Sequence, residues 1–175
     1  MATLSEGKLK FAFPDAWIAS KYDDWSYYRN QFQKVCGGAQ AVDIVAFGPD
    51  RWCWLIEIKD YREHQRTKPR DIADEMAGKI RDTLAGLSSG QHLASDAHEK
   101  AQARDAVRSI GWRVVLHLEQ PKGHSKLFPR TIKLADVLQK LKQLIKAIDP
   151  HPQVVERANS GHLPWRVTTV GGATP

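Results

Sequence analysis

Cysteine is scarce: Cys36 and Cys53 are the only two in 175 residues, and their separation does not match zinc-ligand spacing. That excludes a disulfide-stapled scaffold and reads as two reduced thiols in apolar surroundings of a cytoplasmic protein. No apolar run approaches the length of a membrane helix, and no signal peptide opens the chain, so neither a membrane partner nor export is expected. The seven histidines are scattered without metal spacing and read as surface or internally satisfied side chains. Internal repeats, low-complexity tracts and a composition break are also missing, which makes residues 1–175 a single domain. Neither a helix-turn-helix nor a zinc module is visible to supply sequence-specific recognition of DNA.

What is present is a core-forming, basic chain. Hydrophobic residues make up 42%, and 26 Lys and Arg face 20 Asp and Glu for a net charge of +6. A basic surface favours polyanions such as nucleic acid. The densest signal is residues 41–59, AVDIVAFGPDRWCWLIEIK, where two apolar runs flank the turn Gly48-Pro49-Asp50-Arg51 and read as a β-hairpin. Three ionisable residues interrupt these runs: Asp43 in the first strand, Glu57 and Lys59 in the second. Alternation along a strand puts Cys53, Leu55, Glu57 and Lys59 on one face and Trp52, Trp54, Ile56 and Ile58 on the other, core-facing side. A carboxylate and an ammonium on a half-buried strand require a partner or a ligand. For Asp43 to share the face of Glu57, their numbers must pair with an even sum. Pairing 43 with 57 leaves an odd loop, residues 49–51, whereas a tight two-residue loop sends Asp43 to the wrong face.

The spacing Asp43–x13–Glu57–x–Lys59 resembles the signature of the PD-(D/E)XK phosphodiesterase superfamily. Glu-x-Lys alone has no weight, since Glu6-Gly7-Lys8 repeats it in a polar stretch; the preceding Asp-bearing strand and the flanking helices set the second copy apart. Val42 stands where the family name has Pro. The resemblance implies a mixed α/β (α+β) fold, a restriction-endonuclease-like central mixed sheet flanked by helices, with its core over residues 15–120. Residues 121–170 form a variable helix–strand extension. It also implies a metal-dependent nuclease, active on DNA rather than RNA, in defence or repair. Asp43, Glu57 and the backbone carbonyl of Ile58 would hold Mg²⁺ or Mn²⁺, hard ions that take oxygen ligands. Asp24, on the preceding helix, would add a further carboxylate, and Lys59 would orient the attacking water.

Along the chain, residues 9–13 alternate like a short strand. Residues 15–35 carry Trp25, Tyr28, Phe32 and Val35 at helical spacing, stopped by Gly37 and Gly38. The family meander then wants one more strand, supplied either by residues 39–41 or by residues 9–13. After Lys59 a charged connection ends at Pro69, and Ile72, Met76, Ile80, Leu84 and Leu87 mark a helix over 70–88. Lys79 borders that stripe and either reaches the catalytic edge or extends to solvent. Ser88-Ser89-Gly90 reads as a break before a surface helix over 91–108, and residues 112–120 read as a strand joined by a crossover. Residues 121–130 are a basic loop that either tracks a phosphate backbone or is simply solvated. A wide apolar stripe predicts a helix over 131–149, and residues 163–170 an edge strand.

Nucleic-acid contacts are thus expected from Arg62, Lys79, Lys122, Lys126 and Arg130, beside Lys59. Two rival readings stand next to the nuclease. One is a catalytically silent nucleic-acid-binding subunit of the same fold, the other an interaction domain presenting the apolar face of the final helix, with a homodimer or a partner subunit as its mate.

Overall fold

Residues 1–64, 66–121 and 132–170 are described in the computed structural model. The hairpin sets the frame. Strands β4 (Ile44–Phe47) and β5 (Cys53–Asp60) pair antiparallel, with Ile44 opposite Ile56 and Phe47 opposite Cys53. Gly48 O accepts from Arg51 N at 3.1 Å, and Arg51 takes φ 63°. A type I turn followed by one left-handed residue is the usual build of a three-residue hairpin loop. The even-sum register follows, and extending it one step places Asp43 beside Glu57.

The strand missing from the expected meander is neither residues 39–41 nor residues 9–13. It is β3 (Ile18–Lys21), antiparallel to β4. The helix expected over 15–35 is accordingly corrected. After β3 come a 3-10 turn (Tyr22–Asp24), a short helix α1 (Ser26–Asn30) and a second 3-10 turn (Phe32–Gly37). Trp25, Tyr28 and Phe32 are buried as their spacing requires. The backbone between them is broken, because Trp25 is extended at ψ 135° and Cys36 sits at φ 51°. Cys36 is exposed rather than apolar-packed, while Cys53 is buried.

Helix α2 (Ile72–Leu93) runs straight through the expected break at 88–90. Small residues there form a notch rather than a stop: a Cβ on Gly90 would lie 3.2 Å from the Tyr27 ring, and Ser89 Oγ accepts the Tyr27 hydroxyl at 2.7 Å. The true break follows Leu93, where Asp96 caps α3 (Ala97–Val107) by accepting from His98 N and Glu99 N. Strand β6 (Trp112–Glu119) then returns parallel to β5, and β7 (Gln153–Val155), not foreseen, is parallel to β6. Helix α4 (Leu134–Ile145) is shorter than expected. Beyond it, fully buried Asp149 accepts from Val114 N at 2.8 Å and ties the helix end to β6. The five-stranded order is β3-β4-β5-β6-β7. A second, antiparallel sheet, ordered β1-β2-β8, comprises β1 (Thr3–Glu6), β2 (Leu9–Ala12) and the edge strand β8 (Arg166–Thr169).

The architecture is mixed α/β. Helices cover one face of the main sheet, where Leu55, Leu116 and Leu118 meet Met76, Ile80, Leu87 and Leu141. The small sheet covers the other, where Trp54, Ile56 and Ile58 meet Phe11, Phe13 and Trp165. Both faces of β5 are therefore buried, which explains its near-continuous apolar run. The α4 stripe packs inward through Val137, Leu141 and Ile145 and leaves Leu144 exposed. Among the described residues, no helix is long and apolar enough to cross a membrane.

Gly86 is the tightest point in this packing. A Cβ there would meet Tyr22 Oη at 2.1 Å and the Phe32 ring at 3.1 Å. Both rings are buried, so neither has room to withdraw. Gly86→Ala is expected to lose about 1–3 kcal/mol by overpacking, whereas Gly161→Ala, with open space around it, should be close to neutral. Denaturant melts of the two variants check this; equal midpoints would contradict the packing.

Candidate functional site

The candidate site lies where the start of β4 and the far half of β5 meet α2. Glu57 is 1% exposed, on the helix-facing side of β5 with Leu55 and Lys59. Its Oε1 is 2.6 Å from Lys59 Nζ and 2.6 Å from Lys79 Nζ of α2, while Oε2 is buried without a partner among the described residues. Asp43 sits one residue before β4, its Oδ2 accepting from Ile58 N at 2.6 Å and so taking the place of a ladder bond. Lys79 Nζ lies 4.0 Å from Asp43 Oδ1, so one ammonium reaches both carboxylates. Lys59 in turn lies 3.4 Å from Glu75 Oε1 of α2. Glu75 also receives Arg66 at 2.8 Å and Lys68 at 3.0 Å.

These surroundings push the two acids in opposite directions. Burial and the adjacent Glu57 raise the Asp43 pKa to about 7 against the weaker pull of Lys79, the Ile58 N–H and Lys59. Burial also raises Glu75, but hydrogen bonds from Arg66 and Lys68 and the charge of Lys59 outweigh it and bring it to about 2. Desolvation of Lys59 is likewise outweighed, by Glu57 and Glu75, so its ammonium is held more firmly than usual. Asp43 is therefore a proton-exchanging group near neutrality, walled by fixed charges.

The fold brings Asp43, Glu57, Lys59 and Lys79 together. It does not bring Asp24, which pairs with Lys21 at 3.4 Å and with Arg29. Its neighbour Asp23 lines one pocket with Asp43 and Lys79. Arg62 is folded back on Asp60 at 2.5 Å. Lys122, Lys126 and Arg130 lie outside the described residues. Sequence reasoning missed Glu75. Its spacing four before Lys79 is a signal, but one that normally marks a solvated helix face.

Asp43 and Glu57 are the residues that would hold a Mg²⁺ or Mn²⁺, and each keeps one oxygen without a close partner, Asp43 Oδ1 and Glu57 Oε2. Among the described residues no three His, Cys, Asp or Glu side chains converge. Glu57 Oε1 already holds two ammoniums, and Asp43 Oδ2 a backbone N–H. A hard dication would have to displace Lys79 to collect its oxygens.

No family model and no solved structure matches the chain. It is similar to a cysteine--tRNA ligase of Neisseria meningitidis serogroup A, 32% identical over 211 aligned residues. That alignment takes in 97% of this chain and 30% of the ligase, so the chain spans under a third of its relative's length. Being longer than 175 residues, the alignment also includes extra residues within the matched part of the relative. This similarity overturns the DNA-nuclease expectation.

The opposed shifts give a pH signature. Asp43 titrates near 7 when folded and near 3.8 when unfolded. Between those values only the folded state keeps the proton, so stability falls as pH rises from about 4 to about 7. Glu75 behaves in the opposite sense: its contribution is full above 4.5 and is lost as pH falls from there toward 2. Asp43→Asn abolishes the first slope, with Asp23, Glu57, Lys59 and Lys79 still facing the position. The variant should match the wild type near pH 4 and exceed it at pH 8 by on the order of 1–4 kcal/mol. Denaturant melts across pH 4–8 measure this, and parallel profiles would refute it.

Proposed function

We propose that this chain is an RNA-binding module of the kind that forms part of a cysteine–tRNA ligase, with tRNA as its partner. The similarity over 97% of the chain to part of such a ligase carries the reading. It replaces DNA by RNA as the preferred polyanion.

The module serves the RNA rather than the joining chemistry. Joining a carboxylic acid to an RNA hydroxyl requires an activated acyl group, and a glycine-rich turn that opens a helix is one way to hold the phosphates of the activating nucleotide. The β5–α2 connection, residues 61–71, contains no glycine. The first free amides of α2 are also taken, since Asp71 accepts from Ala73 N and Asp74 N. We further infer that the β4–β5 core is a restriction-endonuclease-like fold put to this different use; the meander β3-β4-β5 with parallel β6 supports that kinship.

Support for a polyanion partner comes from a cleft of about 400 Å³ between the β5–α2 connection and α4. Arg66, Lys68, Arg70, Lys133 and Lys140 line it against Asp71 and Asp136. Buried Glu75 orients Arg66 and Lys68 from below, and Arg66 also donates to Tyr61 Oη at 2.9 Å. Cations held this way meet phosphates with little left to order.

The test is binding of purified protein to tRNA and to a DNA duplex of similar length, across a salt titration. Affinity for tRNA should exceed that for duplex DNA and fall steeply with salt. Lys68→Gln and Lys133→Gln should each reduce the salt slope by about 1. No tRNA binding at low salt, or a preference for DNA, would overturn the reading.

A further inference from the structure

A second pocket, of about 510 Å³, opens between the segment carrying α1 and the first turns of α2. Asp23, Tyr28, Arg29, Gln40, Asp43 and Lys79 line it. Three of its donor side chains, Tyr28, Arg29 and Lys79, are already committed. The Tyr28 hydroxyl donates to Ala39 O at 2.9 Å, Arg29 Nε donates to Asp23 O at 3.0 Å, and the Arg29 guanidinium pairs with Asp24. Lys79 is held by Glu57 at 2.6 Å.

Its acceptors are not committed. Asp23 Oδ1 and Gln40 Oε1 are buried with no hydrogen-bond partner among the described residues. Asp43 Oδ1 has Lys79 only at 4.0 Å. Buried acceptors left unpaired cost free energy that an incoming donor recovers. Of the two carboxylates on the lining, Asp23 makes no ion pair among the described residues and Asp43 reaches Lys79 only at 4.0 Å.

We infer that this pocket binds a small ligand through a primary ammonium group. An ammonium carries one positive charge and three N–H donors, which matches Asp23 Oδ1, Gln40 Oε1 and Asp43 Oδ1. A hard dication is the competing occupant, since carboxylate and amide oxygens also suit one, but among the described residues no three His, Cys, Asp or Glu side chains gather to hold it.

The pocket adjoins the basic cleft. A Cβ on Gly78 would lie 3.7 Å from Gln40 Oε1 and 3.1 Å from the Arg70 guanidinium, which lines that cleft. Resting on the proposed tRNA partnership, the ligand class is an aminoacyl ester at the end of an RNA, its phosphates in the cleft and its α-ammonium in the pocket.

Calorimetric titration with glycine methyl ester and with N-acetylglycine methyl ester, which lacks the ammonium, tests the pocket alone. The free amine should bind at least tenfold more tightly than the acetylated ester. Asp23→Asn should remove most of that difference, and Gln40→Glu, which adds a charge without removing an acceptor, should increase it. Circular dichroism confirms that each variant is folded, and Gln40→Glu decides the question if Asp23→Asn is not. Equal affinity for the two esters, no binding of either, or MgCl₂ displacing the amine at lower concentration than the ester itself requires would overturn the inference. tRNA binding measured on the same proteins separates the two proposals. Ester binding without tRNA binding keeps the pocket and removes the RNA reading, and the reverse outcome removes the pocket alone.

Discussion

Burial of the Glu57 carboxylate is the constraint that organises this molecule. A carboxylate at the centre of a sheet, 1% exposed, is tolerated only when opposite charge is delivered to it. Lys59 brings one ammonium from the same strand face, and Lys79 brings another from α2. The second requirement fixes where α2 must cross the sheet, and Met76 and Ile80 then find the floor made by Leu55 and Leu116. From Lys59 the alternation of charge continues outward to Glu75, and from Glu75 to Arg66 and Lys68. Sheet, helix and connecting segment are thus joined by one chain of ion pairs in which each member neutralises its neighbours. Removing Lys59 or Lys79 takes a cation from a carboxylate that the fold has already taken out of water.

The parts of the fold that were legible in the sequence are those where local chemistry and tertiary packing agree. The hairpin register followed from an even-sum argument about Asp43 and Glu57, and the left-handed Arg51 supplies the odd loop that it demands. Strand β6 and the inward stripe of α4 were equally plain. The stretch 15–35 misled because its aromatic spacing is helical while its backbone is not. Side chains at i, i+3 and i+7 reach the same core whether the chain between them is α-helix or a relay of 3-10 turns. Strand β3 was hidden for a related reason. Residues 18–21 form an exposed or half-buried edge strand, and such a strand carries no alternation to read. Ser88-Ser89-Gly90 looked like a break because small residues commonly mark one; here they make room for Tyr27.

At the site, the sequence identified Asp43, Glu57 and Lys59, and named Lys79 as able to reach them. It chose Asp24 over Asp23 on helical geometry that does not exist there, and it passed over Glu75 and Gln40. Those two are invisible for a physical reason. A glutamate four residues before a lysine, or a glutamine after two glycines, takes its meaning from what packs over it, and that information is non-local.

The same geometry explains why a spaced acidic motif gave the wrong activity. On a strand with one charged face, Glu-x-Lys is the shortest way to place a compensating cation beside a buried carboxylate, since residues two apart share a face. Asp43 then falls beside Glu57 because the register requires it, and its side chain closes the ladder on Ile58 N. Each element of the spacing is thus a consequence of charge balance and strand pairing before any ligand is considered. What distinguishes a hydrolytic centre from a balanced ionic core is an oxygen cage with open valence. Here Glu57 Oε1 and Asp43 Oδ2 are held by Lys59, Lys79 and a backbone amide, Glu57 Oε2 is buried without a partner among the described residues, and two further unpaired acceptors, Asp23 Oδ1 and Gln40 Oε1, belong to residues of the pocket wall. The chemistry left open to a ligand is donation into those acceptors, and that directs the search for function away from the motif and toward the pocket next to it.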